Sequence, residues 1–392
     1  MFLNSPRKKF FIFGAPGVGK TTLVKYLFEF LKNNLSSFNF SGFITTEIRE
    51  GFERKGFKIK VLNSDTESIL AIRKDLIDPK EIKDKPFVGK YIVNIENLEK
   101  VVEDLEKEFG KENVFFLIDE IGKMEILSLK FRNFIEKLLF SSRYLLATVG
   151  KGEDPFLKKV RDYEPAFLCE VTKENRDFLK NRLKFEFLRK GKLIAIEGID
   201  GAGKTTFAKA LFETLKKRGI NCIFSCEPTS GPFGEKIKSA LIKKIKKESN
   251  PQDLKLLFLK DRKWHVENII IPALEAQKWI ILDRYYPSTL AYQSSQGLSL
   301  KELLIENETI APIPDLVIYL DLPLEIAFKR IGNREKKLTI FEKREFLERV
   351  METYKKCLKL FNYLIIDATK PIEENLEYLL KFLDSKFKCP LS

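Results

Sequence analysis

The 392-residue chain has a single histidine, His265, with only five cysteines, three methionines and two tryptophans. One histidine excludes a histidine-rich metal cluster, and a Ser-His-Asp arrangement would have to be built around that residue alone. It lies in "DRKWHVEN", a helical pattern, and reads as structural. The cysteines (Cys169, Cys222, Cys226, Cys357, Cys389) are scattered and odd in number, so reduced thiols are expected. Cys222 and Cys226 bound "CIFSC", which reads as a strand, with no second Cys or His pair to complete a zinc site. No run of 18 or more apolar residues occurs, and the apolar part of "MFLNSPRKKFFIFG" is too short for a signal peptide. The expectation is a cytoplasmic protein with no membrane partner.

Positive charge is in excess, +14 overall, but it is spread along the chain rather than gathered in a tail or a basic-aromatic strip. That distribution favours a Lys/Glu-rich solvated surface with small polyanionic nucleotides as partners over nucleic acid. A nucleic-acid-stimulated NTPase is the alternative that the net charge keeps open, and it predicts steep salt dependence.

Glycine is concentrated where chemistry needs it. "FFIFGAPGVGKTT" (Phe10 to Thr22) and "IAIEGIDGAGKTT" (Ile194 to Thr206) both fit G-x-x-x-x-G-K-[ST], each after an apolar run that reads as a strand and before a helical apolar pattern. A loop whose successive N–H groups converge on phosphate oxygens needs residues without side chains, and the following helix points its positive end at the same anion. The nucleotide-binding residues are therefore Gly14, Gly17, Gly19, Lys20, Thr21 and Thr22 in one loop, and Gly198, Gly201, Gly203, Lys204, Thr205 and Thr206 in the other. Lys20 and Lys204 would reach the β/γ-phosphates, and the hydroxyls of Thr21 and Thr205 would ligate Mg²⁺. With 392 residues, two domains are expected, 1–188 and 189–392, the charged helical stretch "DFLKNRLKFEFLRKGK" joining them. The fold class is α/β: two P-loop NTPase-type domains, each a mostly parallel sheet flanked by helices.

In the first domain, residues around Glu50-Gly51 and Lys55-Gly56 read as short hairpin strands. "VFFLIDEIGKMEI" then places Asp119 and Glu120 at the carboxyl end of an apolar strand expected beside the P-loop. Asp119 would hold Mg²⁺, and Glu120 would orient the attacking water. The stretches "GAPGVGKTTLV", "GFITTEIREG", "VGKYIVN", "IDEIGKMEI", "FRNFIE", "LLATV" and "EVTKENRD" together resemble the cancer-related (THEP-type) nucleoside-triphosphatase family. The resemblance implies hydrolysis of several NTPs to diphosphate and phosphate, with Arg49 and Lys90 as candidate cations at the transition state. Where that family would place a histidine after "ATV", this chain has Gly150-Lys151-Gly152, which leaves a slow, degenerate or regulatory first domain as the alternative.

In the second domain, "EGIDGAGKTT", "EPTSGP", "LFLKDRKWH", "DRYYPSTLAYQ" and "YLDLP" follow in order and resemble thymidylate kinase. That resemblance implies transfer of the γ-phosphoryl group of ATP to dTMP, and a homodimer formed through this domain. By the same resemblance Arg284 would clamp the acceptor phosphate, Arg262 would lie near the pyrimidine, and Phe258 would stack on it. Thr289, Tyr292 and Gln293 would line the base and sugar, and Asp200 would sit near the deoxyribose. Arg330 and Arg334, four apart in the lid stretch "KRIGNREKK", would neutralise the moving phosphoryl group. Cys226 stands where a basic residue is frequent before "EP", which leaves the role of Glu227 open. No [NT]-K-x-D element occurs, which counts against a guanine-specific switch.

Overall fold

Between Leu188 and Arg189 the chain passes from one compact unit to a second. The computed structural model describes residues 6–62, 64, 66–78, 85–245, 250–331 and 337–387, the side chains of 241–245, 331 and 337–343 excepted. Among the described residues no helix is long and apolar enough to cross a membrane.

The first unit runs β1 (Lys9–Phe13), α1 (Lys20–Asn34), β2 (Asn39–Glu50), β3 (Glu53–Val61), β4 (Glu67–Arg73), β5 (Phe87–Val88), β6 (Tyr91–Val93), α2 (Ile95–Phe109), β7 (Val114–Ile121), α3 (Leu129–Leu139), β8 (Tyr144–Val149), α4 (Pro155–Arg161), β9 (Phe167–Glu170) and α5 (Arg176–Leu188). Its sheet has the order β5-β6-β4-β3-β2-β7-β8-β1-β9. The five strands from β2 to β9 in that order are parallel, and β3, β4, β6 and β5 extend them antiparallel. Composition follows pairing. β7, covered on both faces, is apolar almost throughout, whereas β3 (ERKGFKIKV) mixes charged and apolar positions because only one face needs cover. Phe115 and Phe116, fully buried in β7, each contribute about 2–3 kcal/mol of burial.

Two expectations change here. β2 and β3 form one long hairpin turning at Gly51, and Gly56 lies inside β3 rather than in a turn. It is needed there because a Cβ would fall 2.3 Å from the Ala71 carbonyl oxygen of β4. The charged helix α5 ends at Leu188 and belongs to the first unit, where Leu179, Leu183 and Phe187 are fully buried.

The second unit runs β10 (Lys192–Glu197), α6 (Lys204–Lys217), β11 (Cys222–Cys226), α7 (Gly234–Ile245), α8 (Pro251–His265), a π-helical turn (Val266–Ile270), α9 (Ile271–Glu275), β12 (Trp279–Asp283), α10 (Tyr286–Ser294), α11 (Leu300–Ile310), β13 (Leu316–Asp321), α12 (Leu324–Ile331), α13 (Lys337–Leu358), β14 (Tyr363–Asp367) and α14 (Ile372–Phe387). Its five strands are all parallel, in the order β11-β12-β10-β13-β14. β10 and β13 in the middle are almost wholly buried, while the edge strand β14 alternates exposed and buried residues. "CIFSC" is a strand, as expected.

Candidate functional sites

In the first unit the P-loop turns from β1 into α1 through left-handed backbone at Gly17 and Gly19, with φ of 77° and 99°. Lys20, the first residue of α1, lays its ammonium on the carbonyl oxygens of Gly14 and Ala15, both at 3.2 Å. Gly14 admits the neighbouring β9–α5 segment: a Cβ there would lie 2.4 Å from the Val171 carbonyl oxygen.

Asp119 and Glu120 end β7 and share a cavity with the P-loop residues Gly14, Lys20 and Thr21, although that strand does not pair with β1. β8 lies between them, pairing Ile12 of β1 with Thr148. Thr148 Oγ1 donates to Asp119 Oδ1 at 2.5 Å, and the Thr21 side chain faces the same carboxylate. Asp119 is 1% exposed, and its Oδ2 is buried with no hydrogen-bond partner. Burial raises its pKa, opposed by the hydrogen bond from Thr148, by the Thr21 side chain and by the charge of Lys20. Burial likewise raises that of Glu120, against the pull of Lys20.

A third carboxyl, Glu125, was not foreseen. It is 3% exposed, and a Cβ on Gly122 would sit 2.7 Å from Glu120 Oε1 and 2.9 Å from Glu125 Oε2, so the two side chains converge on one point. Burial, and after it the charge of Glu120, pushes the Glu125 pKa up to about 8. The only signal for it was a lone acidic residue inside "GKMEI". The tight turn that folds this stretch back, closed by Ile126 N donating to Gly122 O, is not readable from residue types alone.

Gly14, Lys20, Thr21, Thr22, Asp119, Glu120 and Glu125 line one cavity of about 920 Å³. Arg54, Lys123 and Lys151 add positive charge to its wall. Arg49 and Lys90 are not among its lining residues. The β2–β3 ladder slips between Ile48 and Arg49, and beyond that slip Arg49 is tied to Glu47 and to the Phe52 carbonyl at the exposed end of the hairpin. Gly150, at the position where a histidine was expected, also borders the cavity; a Cβ there would lie 3.6 Å from Glu120 Oε1.

In the second unit Gly203 (φ 86°) starts α6, and Lys204 Nζ donates to the Ile199 carbonyl oxygen at 2.7 Å. Burial, and after it the charge of Arg284, lowers the Lys204 pKa to about 7. Thr205 Oγ1 donates to Asp283 Oδ2, while Asp283 Oδ1 is buried without a partner. Asp283 ends β12, which pairs directly with β10, and it repeats the relation of Asp119 to Thr21.

All seven residues assigned to the acceptor line one cavity of about 190 Å³: Asp200, Phe258, Arg262, Arg284, Thr289, Tyr292 and Gln293. Arg284 has φ 66°, a left-handed conformation that a non-glycine residue adopts at a cost. Its backbone N–H bonds the Ile196 carbonyl, and its guanidinium reaches Asp200 and Ser288 Oγ and lies 5.3 Å above the Tyr292 ring. Arg262, 1% exposed, gives two N–H groups to Glu227 Oε2, one to Thr289 Oγ1 and one to Asn307 Oδ1. Gln293 is 2% exposed, and among the described residues neither its Nε2 nor its Oε1 has a hydrogen-bond partner. A buried amide facing a cavity with donor and acceptor both unused costs free energy unless a ligand pairs with it.

Residues the sequence left open support this wall. Glu227 holds Arg262 and accepts from His265 Nδ1–H at 3.0 Å, and His265 Nε2 lies 2.8 Å from Ser225 Oγ. Burial works against the charge of Glu227, but Arg262 and His265 outweigh it and lower its pKa. The one histidine is thus a buried link between β11 and the arginine. Glu197, fully buried at the end of β10, accepts from the backbone N–H groups of Tyr285 and Ser288 and from the hydroxyls of Ser288 and Tyr354, so it fixes the start of α10. Arg330 donates to the Gly201 and Ala368 carbonyls beside the P-loop. Arg334 lies outside the described residues.

Residues 196–378 match the family described as thymidylate kinase, and residues 9–184 match the family described as NTPase. A probable thymidylate kinase of Archaeoglobus fulgidus is 41% identical over 193 residues, which cover 49% of this chain and 95% of that protein. The thymidylate kinase of Desulfotalea psychrophila is 45% identical over 161 residues, 41% of this chain and 78% of that protein. That of Xanthomonas campestris pv. campestris is 44% identical over 180 residues, 46% of this chain and 77% of that protein.

Proposed function

The chain belongs to the thymidylate kinase family through its second unit, with an NTPase-family unit ahead of it, and from that premise we propose two separate activities. The second unit transfers the γ-phosphoryl group of ATP to dTMP, giving dTDP. The first hydrolyses nucleoside triphosphates to diphosphate and phosphate.

The observation that carries the kinase reading is the unpaired Gln293 amide in the cavity shared with Phe258, Arg262 and Arg284. One amide donor and one acceptor fit the O4 and N3–H of thymine. The neighbouring guanidinium of Arg262 has only donors to offer, so it suits the carbonyl O4 as acceptor and rejects the amino group of cytosine. The half-buried Phe258 supplies a ring to cover the base. Arg284 holds the acceptor phosphate at the end of the cavity next to the P-loop, with Asp200 fixing the guanidinium plane. Lys204 and Arg330 flank the donor phosphates, and catalysis is then a matter of placement and charge neutralisation.

In the first unit Glu120 takes the proton of the attacking water, and Lys20 balances the charge on the leaving phosphate oxygens. Thr21 with Asp119, and Thr205 with Asp283, are suited to Mg²⁺: each pair offers a hydroxyl and a buried carboxylate oxygen without a partner, and hard oxygen donors match that ion. Among the described residues no cluster of three or more His, Cys, Asp or Glu could hold a metal by itself, so nucleotide oxygens would complete the shell. Bound there, the ion would neutralise charge on the β- and γ-phosphates.

The test is one assay of the whole protein with ATP and a panel of nucleoside monophosphates, plus a control lacking acceptor. Diphosphate formed only with dTMP, on top of acceptor-independent phosphate release, is the expected result. Absence of release without acceptor would leave the first unit as a nucleotide binder.

A further inference from the structure

The segment after β9 encloses the first P-loop at both ends. Its Val171 carbonyl meets Gly14, and at Gly19 a Cβ would lie 2.8 Å from both Cδ and Nη1 of Arg176. Only glycine at 19 allows that approach. Arg176 is the first residue of α5, and its place is set by a local cap: Thr172 N donates to Asn175 Oδ1 at 2.8 Å, and Asn175 Nδ2 donates to the Glu170 carbonyl at 2.8 Å. β9 itself is registered on β1 through Phe13 opposite Glu170.

The protein gives this cation little in return. It stands at the N-terminal end of α1, where the backbone dipole is positive and repels it. Among the described residues its carboxylate neighbour is Asp177, whose Oδ1 lies 3.8 Å from Nε on an exposed side chain, and the buried Nε has no hydrogen-bond partner. Arg176 is also not among the residues that line the 920 Å³ cavity, although Gly19, Thr21 and Thr22 are. It therefore stands just outside the chamber that holds Lys20 and Glu120, where the rest of a nucleotide would emerge from the loop.

We infer that Arg176 is the base-binding residue of the first site, its guanidinium stacking on the nucleobase of a triphosphate held by Gly14–Thr21. The inference rests on the reading of that loop as a nucleoside-triphosphate site. A planar cation covers the π face of any base without reading its edge, so the site takes purine and pyrimidine triphosphates alike.

The test uses full-length protein carrying Lys204→Ala, to silence the second P-loop, and Glu120→Gln, to prevent turnover. Calorimetric titration with ATP, UTP and base-free inorganic tripolyphosphate, each with Mg²⁺, is compared with and without Arg176→Ala or Arg176→Lys. Arg176→Ala should weaken ATP and UTP about five- to tenfold and leave tripolyphosphate within twofold, which also reports an intact fold. Arg176→Lys should behave like Arg176→Ala, since lysine keeps the charge but not the plane. Equal weakening of tripolyphosphate, with rescue by lysine, would overturn the inference in favour of a phosphate contact, and unchanged nucleotide binding would overturn it outright. Failure of ATP and tripolyphosphate to bind the parent protein would instead remove the underlying reading of the first site.

Discussion

The two P-loops are alike in residues and differ in what the sheet sets beside them. In the second unit β12, which carries Asp283 and Arg284, pairs directly with the P-loop strand β10. In the first, β8 is inserted between β1 and the carboxylate strand β7. The near position brings Arg284 over the loop, where its guanidinium meets Asp200 of the loop itself and borders a small cavity of about 190 Å³, the proposed acceptor site. The inserted strand instead leaves room between Lys20 and Glu120, in an open chamber of about 920 Å³ where two further carboxyls, Asp119 and Glu125, are buried. On the proposed reading the second site must keep water out and seat a second nucleotide, and the first must admit water and hold a base next to it. One strand of offset separates those requirements.

The sharpest way to break the comparison is to disable one loop at a time. Lys204→Ala should reduce phosphate transfer to dTMP by about 10³-fold or more and leave acceptor-independent hydrolysis unchanged, and Lys20→Ala should do the reverse. Both activities are measured on one preparation, and their joint loss in either variant would mean a single shared site.

Next in size is Glu120→Gln, which should lower NTP hydrolysis by about 10²-fold with nucleotide binding kept and dTMP phosphorylation untouched. A hydrolysis rate equal to that of the unmodified protein would reduce Glu120 to a structural residue.

Acceptor choice sharpens the second side. dTMP should be used best and dUMP about tenfold less well, since the thymine methyl adds apolar burial, with dAMP and dGMP barely used. Phe258→Ala and Gln293→Ala should raise KM for dTMP more than for ATP, because both side chains line the cavity proposed for the acceptor. Steady-state kinetics giving dCMP the higher kcat/KM would contradict the pairing argued for Gln293 and Arg262.

The smallest effect concerns Glu125, whose pKa is about 8 in the folded chain against about 4.5 in an unfolded one. A raised acid pKa means that the folded state holds the proton more tightly, so the contribution is present below pH 4.5 and is lost as pH rises towards 8. Glu125→Gln removes that loss. Without nucleotide or divalent cation, the Tm of the variant should gain on that of the unmodified protein by a few degrees between pH 5 and 8. A difference that stays flat with pH would show that Glu125 is ionised in the fold.

Much of each site was legible because it is local. The glycine spacing, the lysine and threonine that follow, and an acidic pair ending an apolar run all act within about one strand and one turn of helix, where residue type dictates backbone and chemistry. That the residues proposed for the acceptor line one cavity was legible for a related reason: Phe258 and Arg262 are one turn apart on α8, and Thr289, Tyr292 and Gln293 share a face of α10. Arg49 lies beyond the slip in the β2–β3 ladder, and neither it nor Lys90 borders the 920 Å³ cavity; a basic residue in a hairpin carries no mark of which way it will face.

By itself the sequence determined two α/β units, their two anion-binding loops and the side chains able to serve them, since those follow from local propensity, glycine dihedrals and apolar periodicity. Only the tertiary structure decided the neighbours. Pairing between strands far apart in the chain put β8 between β1 and β7, laid Asp283 against Thr205, brought Glu125 to Glu120 and set Arg176 over Gly19. The physical reason is that parallel strands are held by long crossover connections whose lengths do not encode order, so which strands become neighbours is settled by how the whole sheet buries its faces.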